Sequence, residues 1–208
     1  MLFRILALLA SLAFSFAAEA QVRIVAIGDS QIRGKGVPEA DAYPAKLERA
    51  LKAKGHNVVV SNAGINGDTT SGVLARLDHD VPQGTRIAIV SVGANDIVLH
   101  NARRAATVNN LKSIVERLRA RGVEVLVFGL GGGKTSKLGT PDPNESSLLQ
   151  AAGATVMPAM QAGLFSDPQM HVEASWQTGT EWHLNAQGYD IVVQRSLPAV
   201  EGIVTKVK

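Results

Sequence analysis

"VRIVAIGDS", residues 22–30, is a β-branched apolar run that stops at Gly28 and then delivers Asp29 and Ser30. Such a run reads as a buried strand, and the segments after it alternate between helix and strand. "AYPAKLERALKAKG" (42–55) reads as a helix, with Pro44 in its first turn and Gly55 past its end. "NVVVSN" (57–62) is strand-like, and "DTTSGVLARLDHD" (68–80) is a short helix with Asp68 or Thr69 as N-cap. "TRIAIVSVG" (85–93) is a third strand. A helix over residues 105–121 then spaces Val108, Leu111, Ile114, Val115 and Leu118 on one face. "VEVLVFGL" (123–130) is a fourth strand. A Gly/Pro/Ser-rich loop (131–147), a short helix and a weaker fifth strand, "ATVMPAM" (154–160), come next. Residues 185–199 close the series as a helix expected to end near Pro198.

Apolar strands that alternate with helices imply a parallel sheet covered on both faces. The expected fold is a three-layer α/β/α sandwich around a mostly parallel, five-stranded sheet. Neither an internal repeat nor a second-domain linker interrupts it. In such sheets ligands sit outside the carboxyl ends of the strands. Chemistry is therefore sought in the loops after residues 28, 62, 92 and 130.

The 208 residues suffice for one domain with a real core, and with 46% hydrophobic but only 4% aromatic residues that core is aliphatic. Some of the hydrophobicity lies in "MLFRILALLASLAFSFAAEA". Arg4 precedes an apolar stretch over residues 5–16, and Ala18-Glu19-Ala20 forms a small-x-small site. Residues 1–20 thus read as a cleaved export signal, leaving a domain over residues 21–208 in the periplasm or outside the cell. The apolar stretch is too short for a membrane span. The chain has no cysteine, so it carries no lipobox and folds without disulfides. A net charge of +3, spread along helix faces, gives no reason to expect a nucleic-acid partner.

Three loops carry candidate groups. Ser30 comes directly after the first strand, where a nucleophile would have backbone N–H groups around it. In "NAGINGDTT", Gly64 and Gly67 flank Asn66 just before a helix, where free N–H groups converge on an anion. "VGANDIV" places Asn95 at the end of the third strand, where its amide could donate to a developing oxyanion; Asp96 beside it reads as structural. A late histidine, His183, stands in "TGTEWHLNAQGYD".

Gly-Asp-Ser, Asn-x-Gly-x-x-Gly-Asp, Gly-x-Asn-Asp and a final His before "LNAQGY", in this order, resemble the SGNH or GDSL-type serine hydrolases. The likeness runs over residues 21–208. It is strongest to the small periplasmic thioesterase, lysophospholipase and arylesterase branch. The resemblance implies a flavodoxin-like sheet, Ser30 as nucleophile and His183 as general base. It also implies an oxyanion hole from the Ser30 and Gly67 N–H groups and the Asn95 amide.

Two departures stand out. Gln31 replaces the leucine of the usual motif, a change without chemistry. The family's Asp, three residues before the histidine, is Thr180 here, with Glu181 next to it. That Asp would fix the imidazole tautomer and stabilise the imidazolium. Thr180 Oγ could accept the Nδ1 proton, Glu181 could curl back, or a distant carboxylate such as Asp167 or Glu173 could serve; Glu181 is preferred.

Several other segments carry weaker signals. "FGLGGGKTSK" (128–137) has half a phosphate-binding loop, but Phe128 stands where glycine is required and prolines interrupt the helix that should come after it. A substrate-side loop is the better reading of residues 131–147. His56, His79, His100 and His171 lack metal-ligand spacing and read as surface or turn residues. Arg33 and Lys35 could meet an anionic acyl donor or simply face water. Gly-x-Ser-x-Gly is absent, which argues against an α/β-hydrolase elbow.

The resemblance implies hydrolysis of a small-molecule carboxylic ester or thioester (acyl thioester, lysophospholipid or aryl ester) through an acyl-enzyme, with no metal or organic cofactor. A carbohydrate O-acetylesterase is one alternative. A binding domain that kept the fold and lost the Asp is the other.

Overall fold

The computed structural model describes residues 20–131, 138–164, 167–172 and 183–208. Five strands, β1 (Val22–Gly28), β2 (Val58–Gly64), β3 (Ile87–Ser91), β4 (Glu124–Phe128) and β5 (Ala154–Met157), form one sheet in the order β2-β1-β3-β4-β5. Every pairing between them is parallel.

Side chains alternate across the sheet with period two, and both sets find aliphatic partners. Val22, Ile24 and Ala26 of β1, with Ile87 and Ile89 of β3, pack on one face. They meet α2 (Tyr43–Ala53) through Tyr43, Leu47 and Leu51. The last helix, α7 (Ala186–Val207), adds Tyr189, Val192, Val200, Ile203 and Val204 to the same layer. Val25, Ile27, Ala88 and Val90 point the other way. There they meet α3 (Thr70–Asp80) through Val73 and Leu77, and α5 (Arg104–Ala120) through all five residues of its expected apolar face. α6 (Pro143–Ala151) completes that layer with Leu149. The edge strands are wetter: Ser61 and Thr155 are exposed.

The chain steps from β1 to β2 on one side and then returns to place β3 on the other. The reversal opens a crevice between the carboxyl ends of β1 and β3, the favoured ligand position in open α/β sheets. The strand ends are level there, with Gly28 registered to both Gly64 and Ser91. Gly28 permits the closeness, because a Cβ on it would lie 1.9 Å from the Ser91 carbonyl oxygen. Asp29 N donates to that oxygen at 3.1 Å.

Two boundaries differ from expectation. β2 runs to Gly64, and β5 stops at Met157. The larger correction concerns the final helix, which does not end near Pro198 but continues to Val207. A helix-interior proline costs ~3 kcal/mol through a lost hydrogen bond and a clash. Beyond it Val200, Ile203 and Val204 are buried, each worth roughly 1.5–3 kcal/mol. Packing outweighs the break, and Pro198 itself faces solvent.

Candidate active site

Ser30 opens a four-residue helix, α1 (Ser30–Arg33), at the end of β1. Asp29 is its N-cap: its carboxylate accepts from Gln31 N at 2.9 Å, and its carbonyl accepts from Arg33 N at 3.0 Å. The Ser30 N–H has no intrahelical partner by its position in the first turn. Ser30 Oγ lies 2.7 Å from His183 Nε2, and both side chains are buried.

His183 is held through its backbone. Its carbonyl accepts from Val172 N at 2.9 Å, and Asn185 N donates to Met170 O at 2.9 Å, an antiparallel bridge centred on His171 and Leu184. Asn185 then caps α7 by accepting from Gly188 N, and its amide nitrogen donates to Gln169 O and His171 O. Tyr189, one turn into α7, donates its hydroxyl to Gln31 O at 2.9 Å. The "HLNAQGY" stretch thus fastens the imidazole to the serine turn. The sequence signals the histidine; it does not signal Tyr189 as the fastener.

The other two segments meet beside this pair. Ile65 O accepts from Asp68 N at 3.1 Å, closing a turn whose third residue, Gly67, has φ 79°. Only glycine adopts that conformation freely, and the closing bond leaves the Gly67 N–H outside the turn. Asn95 sits in α4 (Ala94–Val98), and its Nδ2 donates to Asp68 O at 2.8 Å. One amide hydrogen is spent on that bond, which fixes the rotamer and leaves the other to project. Asp96 is structural, accepting from Thr70 N at 3.0 Å and from the Thr70 hydroxyl, which also accepts from Asn110.

Of the carboxylates considered as partners for His183, Asp167 caps the turn Pro168–Met170 by accepting from Gln169 N at 3.0 Å. Glu173, Thr180 and Glu181 lie outside the described residues, as do residues 132–137 of the glycine-rich loop. His171 corrects the expectation of a surface or turn role, since it is buried with Nε2 2.9 Å from Leu164 O. His79 and His100 are exposed, and His56 contacts Glu201 at 3.0 Å. Among the described residues no cluster of three His, Cys, Asp or Glu side chains is arranged to hold a metal ion.

Asp29 is 3% exposed. Burial pushes its carboxyl from 3.8 up to about 7; the bond from Gln31 N opposes this, and the charges of Asp68 and Asp96 add to it. The folded state therefore holds this proton more tightly than the unfolded chain does. Its contribution to stability is complete below the unfolded pKa and is lost as pH rises to about 7. Asp29→Asn is expected to melt above wild type at about pH 8, with the advantage gone by about pH 4. Thermal denaturation of both proteins across that range checks this; a constant difference would contradict it.

A sequence profile of the GDSL-like lipase/acylhydrolase family matches residues 26–191, from β1 into α7. An arylesterase of Vibrio mimicus is 31% identical over 126 residues, 60% of this chain and 62% of the relative. Esterase TesA of Pseudomonas aeruginosa is 33% identical over 114 residues, 54% of this chain and 56% of the relative. The chain thus spans little more than half the length of these curated relatives. The crystal structure of AlinE4, an SGNH-hydrolase family esterase, superposes with a TM-score of 0.66 at 29% identity, covering 88% of this chain and 96% of that one. A crystal structure of TesA superposes at 0.73 with 21% identity, covering 87% and 99%, a likeness of fold. Profile, relatives and sheet order agree with the three spaced segments gathered at the β1/β3 crevice, and the chain belongs to the GDSL-like lipase/acylhydrolase family.

Proposed function

We propose that the protein is a serine hydrolase that cleaves carboxylic esters or thioesters through an acyl-enzyme. The observation that carries the reading is the 2.7 Å contact between Ser30 Oγ and His183 Nε2 at the switch point of the sheet. In the reaction, Ser30 Oγ attacks the acyl carbonyl while His183 Nε2 takes its proton. The oxyanion is received by the Ser30 and Gly67 N–H groups and the Asn95 amide. His183 then protonates the departing alcohol or thiolate, and water repeats the sequence on the acyl-enzyme. A buried serine already bonded to an imidazole supports catalysis over a binding domain that merely kept the fold.

The relatives' names, arylesterase and esterase, support an aryl or other ester as substrate. The N-terminal sequence supports export before action, though residues 1–19 lie outside the described residues. Among those described, no helix is long and apolar enough to cross a membrane.

The test is covalent labelling. An alkyl fluorophosphonate is expected to add one equivalent to the peptide containing Ser30 and to abolish release of p-nitrophenol from esters in parallel. Label on another residue, or full labelling with undiminished hydrolysis, would overturn the reading. Running the same assay over acyl lengths separates an acetylesterase, confined to acetyl esters, from an enzyme that accepts longer chains.

A further inference from the structure

Arg76, on α3, reaches across the carboxyl ends of two strands. Its side chain is 16% exposed and its guanidinium spends all three nitrogens. Nη2 donates to Gly28 O at 3.0 Å, the last carbonyl of β1 before Asp29 and Ser30. Nη1 donates to Ala63 O at 2.9 Å in β2, and to the Asp80 carboxylate. Nε donates to Asp68 Oδ2 at 2.8 Å, and Nη2 lies 2.7 Å from the same oxygen. Asp68 closes the turn that presents Gly67, and its carbonyl receives the Asn95 amide.

We propose that Arg76 is a positioning residue for the oxyanion hole, tying the strand end before Ser30 and the end of β2 to the Gly67 turn and, through Asp68, to Asn95. The inference rests on the esterase reading. It assigns to one side chain outside the reacting atoms the task of keeping three donors, from three separate segments, aimed at one point.

The physical case has two parts. A guanidinium presents donors in a rigid plane, so its five contacts constrain one another; the lysine ammonium is a point charge on a flexible stem and cannot span the same carbonyls. Second, the Asp68 side chain is 11% exposed and its charge acts on a further buried carboxyl group, Asp29. Without Arg76 its charge loses the cation that compensates it and turns outward toward water, carrying the Gly67 turn and the Asn95 anchor with it. A displacement of about 1 Å at reacting groups costs on the order of a hundredfold in rate.

The experiment compares wild type, Arg76→Met, Arg76→Lys and Ser30→Ala. Active serine is first counted by phosphonate titration, so that misfolded protein does not enter the rates. For Arg76→Met, kcat per titrated serine on p-nitrophenyl acetate is expected to fall about 10- to 100-fold with KM little changed. Affinity for phenylboronic acid, whose tetrahedral adduct places an oxygen in the hole, is expected to fall by a similar factor. Arg76→Lys moves the same way by less, and it carries the test if Arg76→Met does not fold. A merely structural role would lower the melting temperature and the titrated fraction while leaving both quantities per active serine as in wild type; that result overturns the inference. A fall in kcat without loss of boronate affinity also overturns it. If Ser30→Ala hydrolyses ester as well as wild type, the esterase reading fails and the inference with it. If Ser30→Ala is inactive and the Arg76 variants match wild type, only the role of Arg76 is lost.

Discussion

Ser30→Ala is expected to reduce kcat for p-nitrophenyl ester hydrolysis by about 10⁶-fold, to the residue of activity that an oxyanion hole alone provides. The oxygen removed is the one bonded to His183 Nε2 at 2.7 Å. His183→Ala is expected to cost a similar factor, because the serine then lacks its proton acceptor. The double variant should be scarcely worse than either single one, since the two side chains act as a unit. Stability should change little in Ser30→Ala: the side chain sits at the end of the sheet, and one hydrogen bond contributes about 1 kcal/mol net. Steady-state kinetics beside a thermal melt check both halves. A variant that retains activity, or one that loses activity only because it fails to fold, contradicts the assignment.

The second large effect concerns the group behind the imidazole. Glu181→Gln is expected to lower kcat by about 10⁴-fold, the factor lost when a serine hydrolase keeps its geometry but not the carboxylate that stabilises the imidazolium. Thr180→Ala is expected to lower it by less than about tenfold, since a hydroxyl offers orientation without charge. The opposite ranking would give the role to Thr180. If neither change matters, and Thr180→Asp raises kcat, the enzyme works as a Ser30–His183 dyad.

What the sequence disclosed depended on burial. β1 and β3 lie inside the sheet with helices on both faces, so residues 24–27 and 87–90 form apolar runs that are hard to misread. β5 is four residues at the edge with Thr155 in water, and its boundary blurred accordingly. The end of α7 was hidden because Pro198 is a local stop, whereas the buried valines beyond it act through contacts with distant elements. The site divides in the same manner. Ser30, Gly67, Asn95 and His183 stand in short segments whose order carries information. Arg76 stands in a helix where arginine every few residues is ordinary, and only folding reveals that it spans Gly28, Ala63 and Asp68. Tyr189 and His171 were equally silent: one reads as an aromatic in a helix, the other as a stray histidine. The first proves to bond the backbone beside Ser30, the second to pair with Leu184 next to His183.

The bond between Ser30 and His183 joins residues 153 positions apart, the turn after the first strand and a residue just before the last helix. Contacts of that separation are late rewards in folding, because the intervening chain must be organised before its ends can meet. Ser30, Gly67 and Asn95 come from the first half of the chain, yet Ser30 gains its imidazole partner only when the final helix docks. Recovered hydrolysis after dilution from denaturant is therefore a clock for the last step of assembly, not for collapse of the sheet.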